Sequence, residues 1–109
     1  MGEMRDMKIT PEDFKREVID YQGKVLVMFT AEGCEPCQLL KEKVAEHIPD
    51  TKLYIISVDD NKEVSILMRI GATPTLIMFN NGKVRGTDKD RIIGNVSVKT
   101  LMEWNKKWG

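Results

Sequence analysis

Three short, uninterrupted apolar runs constrain this chain more than any other feature: Lys24–Thr30 (KVLVMFT), Lys52–Val58 (KLYIISV) and Thr75–Phe79 (TLIMF). A strand solvated on one face alternates apolar and polar residues. A continuous run rich in β-branched and aromatic residues belongs to a strand covered on both faces, at the centre of an α/β sheet. The intervening segments have helical spacing. Thr10-Pro11-Glu12-Asp13 reads as an N-cap, a first-turn proline and two acids, followed by Phe14, Val18 and Ile19 on one face. A second helix is predicted from about Cys34 to His47, with Cys37, Leu40, Val44 and Ile48 on one stripe and Pro49-Asp50 as its stop. A third runs from Asn61 to Ile70, carries Val64, Leu67 and Met68, and stops at Gly71. Asn80-Asn81-Gly82-Lys83 has the residues of a type I′ hairpin, leading to a strand near Val84–Thr87. Ser97 caps a last helix with Leu101, Met102 and Trp108 facing inward, and Trp104 falls off that stripe.

With Met7–Ile9 as a short first strand, the order becomes βαβαβαββα. Strands separated by helices imply parallel crossovers, and the hairpin adds an antiparallel strand. The expected fold is α/β: a central mixed sheet with helices on both faces, one domain over residues 1–109, the first six or so frayed. Lys plus Arg number 17 and Asp plus Glu 17, for zero net charge, and the basic residues are interspersed with acids. That balance argues against a nucleic-acid partner, which needs clustered cations. No segment approaches the roughly 20 apolar residues of a membrane span, so no membrane partner is expected. Met1–Met7 shows no apolar signal-peptide core, and the expected location is the cytoplasm, with the chain a monomer.

Two cysteines are too few for a secreted disulfide scaffold, and in a reducing compartment a pair needs a reason. Cys34-Glu35-Pro36-Cys37 sits between a buried strand and an amphipathic helix. Residues three apart share a helix face, so the two thiols can meet with slight tightening of the first turn. Pro36 is tolerated because the first helical amides have no internal acceptor. Those amides and the helix dipole favour a Cys34 thiolate, and thiols so placed have pKa values of about 3.5–7.5. Zinc is a poor rival: it needs four ligands, and His47 lies at the far end of the same helix. Two inert structural cysteines would account for Cys37, on the apolar stripe, but not for Cys34 or Pro36. A redox pair is favoured, with no metal and no cofactor.

Beyond the cysteines, Phe29-Thr30-Ala31-Glu32, Gly71-Ala72-Thr73-Pro74-Thr75-Leu76, Phe79-Asn80-Asn81-Gly82-Lys83 and Gly94 stand in an order that resembles the thioredoxin family over nearly the whole chain. The resemblance implies a thioredoxin-like fold. It implies Cys34 as nucleophile and Cys37 as resolving thiol of a redox disulfide, with Glu35 and Pro36 tuning it. Pro74 would follow a cis bond opposite the disulfide, and Gly33, Thr73, Pro74 and Gly94 would hold an extended substrate segment. The partners implied are disulfide-containing proteins, with a reductase or glutathione as electron donor. A glutaredoxin-like, glutathione-linked enzyme and a thioredoxin-fold binding subunit are the competing readings.

The departures from the pattern matter as much. Gly33 replaces the tryptophan usual before the first cysteine, which opens the rim. Glu35 replaces a glycine; its charge either opposes the Cys34 thiolate or completes a favourable first helical turn. The buried Asp and Lys that assist the second cysteine in the family fall on Met28 and Ile55. Losing both partners together strands no charge. Deprotonation of Cys37 would then fall to water, Glu32 or the departing thiolate.

Overall fold

The computed structural model describes residues 4–7 and 10–109. A single mixed sheet holds the strands in the order β1 (Met4–Met7), β3 (Lys52–Ser57), β2 (Lys24–Thr30), β4 (Thr75–Asn80) and β5 (Lys83–Val84), with β6 (Ile92–Ile93) also on β4. The β1–β3 and β2–β3 pairings are parallel; β4 runs antiparallel to β2, β5 and β6. The first strand lies earlier than Met7–Ile9: Met4 pairs Leu53 and Met7 pairs Ile56, so residues 4–6, expected to fray, are in the sheet. The Met1–Glu3 part of that expectation and the Lys8–Ile9 part of the expected strand lie outside the described residues.

The three apolar runs occupy the sheet's interior because each face has its own cover. Leu26 and Met28 of β2 face one core with Leu40, Val44, Leu76, Leu101 and Trp104, under helices α2 (Glu35–His47) and α4 (Val98–Trp108). Val25, Val27 and Phe29 face the other, with Phe14, Val18, Tyr54, Val64 and Phe79, under α1 (Pro11–Phe14) and α3 (Lys62–Leu67). The period of two along β2 therefore divides its side chains between two apolar layers.

Local chemistry sets the ends of these elements. Thr10 and Asp13 form a reciprocal cap at α1, each side chain accepting the other's backbone N–H. The Thr10 amide, more than neighbouring Arg16, holds the Asp13 carboxyl below its ordinary value. Helix α1 continues as a π turn, Lys15–Ile19, in which the Asp20 amide reaches back to the Lys15 carbonyl. The hairpin after β4 places Asn81 at φ 52° and Gly82 at φ 81°, the two left-handed positions of a type I′ turn. A β-carbon on Gly82 would lie 1.9 Å from the Ile19 carbonyl oxygen, so glycine is required there twice over.

Three expectations need correction. The strand after the hairpin ends at Val84, short of Thr87. Gly86 (φ 80°) turns the chain, and Thr87 and Asp90 cap each other around a 3-10 turn before Ile92–Ile93 rejoins β4. Helix α3 spans six residues, not ten, because Arg69 at φ 56° reverses the chain; Leu67, expected inside, is 66% exposed. Trp104 belongs to the core, and its indole N–H donates to the Asp90 carbonyl. Leu101 is buried beside it, with Met102 and Trp108 partly buried.

Candidate active site

Strand β2 ends at Thr30, and four residues later the chain enters α2, so Cys34 stands at the N-cap of a 13-residue helix. Helix geometry does the rest. Cys34 and Cys37 are joined as a disulfide, their Cα atoms 5.3 Å apart, and Glu35 and Pro36 form the exposed first turn between them. The Cys37 amide donates to Cys34 Sγ at 3.2 Å, the cap hydrogen bond that a serine or aspartate oxygen accepts at other helices. In the reduced protein this N–H and the helix dipole point at the sulfur that would carry negative charge.

The two cysteines differ sharply in access. Cys37 lies on the buried stripe with Leu40 and Val44 and is 1% exposed; Cys34 is half-buried at the surface. Across from them the Thr73–Pro74 peptide bond is cis, and the Thr73 hydroxyl is 3.7 Å from Cys34 Sγ. Pro74 is buried, its carbonyl accepts the Gly94 amide at 2.9 Å, and the Thr75 hydroxyl ties back to the Ala72 carbonyl. Cys34, Cys37, Thr73, Pro74 and Gly94 thus form one constellation, although they come from three separate parts of the chain. Lys43 of α2 fixes the segment after Gly94, donating to Asn95 Oδ1 and the Val96 carbonyl. Gly33 is exposed at φ 72°, and a β-carbon there would meet nothing within 4 Å, so the rim beside Cys34 is open on that side.

Met28 and Ile55 are Cα partners across β2 and β3, 0% and 5% exposed, inside the core beneath α2. The layer is apolar at both positions and strands no charge. The acids closest to the cysteines in sequence, Glu32 and Glu35, are exposed, and the Glu32 amide donates to Asp59 Oδ2 at 3.4 Å. His47 is the last residue of α2, and among the described residues no group of three or more His, Cys, Asp or Glu is placed to hold a metal ion. Nor, among them, is any helix long and apolar enough to cross a membrane.

Sequence reasoning passed over Arg91, whose side chain is 8% exposed and ion-paired to Asp88. Its i,i+3 spacing from Asp88 was the available signal, but without the short turn between β5 and β6 nothing marked that arginine as buried.

Comparison with known proteins agrees with this geometry. The thioredoxin family model matches residues 6–107. A thioredoxin of Rickettsia bellii is 32% identical over 100 residues, covering 88% of this chain and 91% of its own. One of Porphyra purpurea is 34% identical over 98 residues, covering 86% and 88%. Among solved structures, Fasciola hepatica thioredoxin superposes with a TM-score of 0.79 at 26% identity, covering 97% of this chain and 100% of that one. A match over nearly the whole chain, with a CxxC disulfide at the start of its helix, makes this chain a thiol–disulfide oxidoreductase acting on protein disulfides, a member of the thioredoxin family.

Proposed function

We propose that the chain reduces protein disulfides in the cytoplasm as a single-domain monomer, with Cys34 as the attacking thiol and Cys37 as the resolving one. The difference in access between the two sulfurs carries this reading: Cys37 is 1% exposed, whereas Cys34 is reachable and receives the Cys37 amide. The Cys34 thiolate attacks one sulfur of the partner's disulfide. A mixed disulfide forms and the partner's other sulfur leaves as a thiolate, taking a proton from solvent. Cys37 gives its proton to solvent, attacks Cys34 Sγ and expels the partner's second thiolate, which is protonated from solvent in turn. Two electrons pass to the partner, whose disulfide becomes two thiols, and the Cys34–Cys37 bond is left behind.

Thr73 and Pro74, with Gly94 bonded to the Pro74 carbonyl, form the wall along which an extended partner segment lies, and Gly33 leaves its other side open. Glu35 and Pro36 tune the first turn. A family reductase restores the dithiol. Glutathione is the lesser donor, because Glu32 and Glu35 flank Cys34 with negative charge and the tripeptide is itself anionic.

Insulin reduction with dithiothreitol tests the reading. The wild type should accelerate precipitation of the insulin B chain and Cys34→Ser should not, while reduced Cys37→Ser mixed with insulin in the absence of dithiothreitol should accumulate a mixed disulfide visible on a non-reducing gel. Full activity in Cys34→Ser would overturn the assignment.

A further inference from the structure

Arg91 is an unusual residue for its place. It precedes a two-residue strand, yet its side chain is 8% exposed, and its Nε is buried without a hydrogen-bond partner. Arginine rarely gives up water in this way unless its remaining donors are well used. Here one terminal nitrogen, Nη2, meets Asp88 Oδ1 at 3.1 Å, and the other, Nη1, donates to the Arg69 carbonyl at 3.4 Å. Asp88 also lies 3.8 Å from the Arg69 guanidinium.

The position of that carbonyl gives the arrangement its meaning. Arg69, at φ 56°, is the residue at which the chain leaves α3 for the Gly71–Pro74 loop. A non-glycine residue in that region is strained and holds its place only when its surroundings fix it. Two residues beyond Arg91, Ile93 pairs with Thr75, and the next amide, of Gly94, bonds the Pro74 carbonyl. Arg91 therefore ties the start of the Thr73–Pro74 loop to the strand that borders its end. Asp88 in turn is held in a 3-10 turn by the reciprocal Thr87–Asp90 cap, and Trp104 anchors that turn to the core through the Asp90 carbonyl.

We propose that Arg91, oriented by Asp88, is a positioning residue for substrate recognition: it holds the Thr73–Pro74 wall at the height where a protein segment can lie against it. The inference rests on the reading of that wall as the substrate groove. It touches no reacting atom, so it governs binding of a protein disulfide and leaves thiol chemistry at Cys34 unchanged.

Steady-state reduction of insulin and of a small aromatic disulfide (dithionitrobenzoate) by wild type, Arg91→Met, Arg91→Lys and Asp88→Asn distinguishes the possibilities. Loss of one charge-assisted hydrogen bond scales to about a tenfold rise in KM for insulin in Arg91→Met, with kcat within about twofold. Lysine keeps the charge but reaches one partner at a time, so Arg91→Lys, like Asp88→Asn, should show a smaller rise of about threefold. Rates on the small disulfide should stay at the wild-type level in all three. If Arg91→Met does not fold, the lysine and asparagine variants decide the matter. Unchanged KM for insulin in the folded variants, or equal slowing on both substrates, overturns the proposal. Wild-type protein inactive on insulin would instead overturn the functional reading beneath it.

Discussion

Replacing Met28 by aspartate puts a carboxyl where the family pattern has one, but in a layer built for a thioether. Met28 is 0% exposed and sits between Ile55 and Leu76 on the neighbouring strands. Removing its buried side chain costs about 2–3 kcal/mol. A carboxyl with no hydrogen-bond partner in that layer adds about 1–3 kcal/mol. The sum, about 3–6 kcal/mol, is a large part of the roughly 5–15 kcal/mol that holds a domain together. Its pH dependence has a definite sign. Burial raises the folded-state pKa above the unfolded value of about 3.9, so the folded protein retains a proton that the unfolded chain releases. Stability then falls as pH rises through the unfolded value and onward to the folded one, by up to about 1.4 kcal/mol per pH unit. Ile55 is the Cα partner of Met28, so Ile55→Lys supplies a counter-charge at the adjoining position. The double variant should recover at least about 1–2 kcal/mol relative to the sum of the single variants. Urea unfolding of the four proteins at pH 5 and pH 7, followed by tryptophan fluorescence, measures every quantity. A cost below about 1 kcal/mol for Met28→Asp at pH 7, or strict additivity in the double variant, would refute the reasoning.

Other expected outcomes are more local. Gly82→Ala forces a β-carbon against the Ile19 carbonyl at a positive φ and should lower stability by more than about 2 kcal/mol, whereas a change under 0.5 or so would show that the hairpin can move aside. Trp104→Phe keeps most of the ring's packing but leaves the Asp90 carbonyl without the indole donor; a loss of about 1–3 kcal/mol in thermal or urea unfolding is expected. Glu35→Gln removes a negative charge beside the Cys34 sulfur and should shift thiolate formation to lower pH, read from the pH dependence of thiolate absorbance; an unshifted curve with a loss of about 0.3–1 kcal/mol in urea unfolding would show that the charge serves the helix start instead.

The central architecture could be read from the chain because it rests on contrasts the sequence states directly. KVLVMFT, KLYIISV and TLIMF need cover on two sides, and helices with one apolar stripe supply it. The cysteine pair was equally legible: Pro36 in the first turn and Cys37 on the apolar stripe place one sulfur outside and the other inside. What escaped depends on short elements. Two-residue strands such as β6 carry no period, and the turn from Gly86 to Asp90 hides the return of Ile92 to β4. Leu67 was misplaced because α3 stops where Arg69 takes a left-handed conformation, which arginine seldom adopts and no pattern announces. Trp104 lies off the Leu101–Trp108 stripe, yet the 3-10 turn brings the Asp90 carbonyl over the helix and gives the indole a buried partner. The link from Arg91 to the Thr73–Pro74 loop was beyond sequence reasoning for the same cause, since it spans 22 residues and depends on that turn.

The divided outer border of β4 has a consequence for how this protein behaves among its own copies. An intact edge strand is an open template on which a second chain can continue the sheet. Here β4 is bordered by two strands of two residues each, and the chain between them bends away at Gly86 and carries Lys89 and Arg85 at its surface. A copy approaching along that side finds no run of free backbone long enough to register against. A thiol–disulfide oxidoreductase that acts on other proteins thereby keeps sheet growth away from one of its own borders.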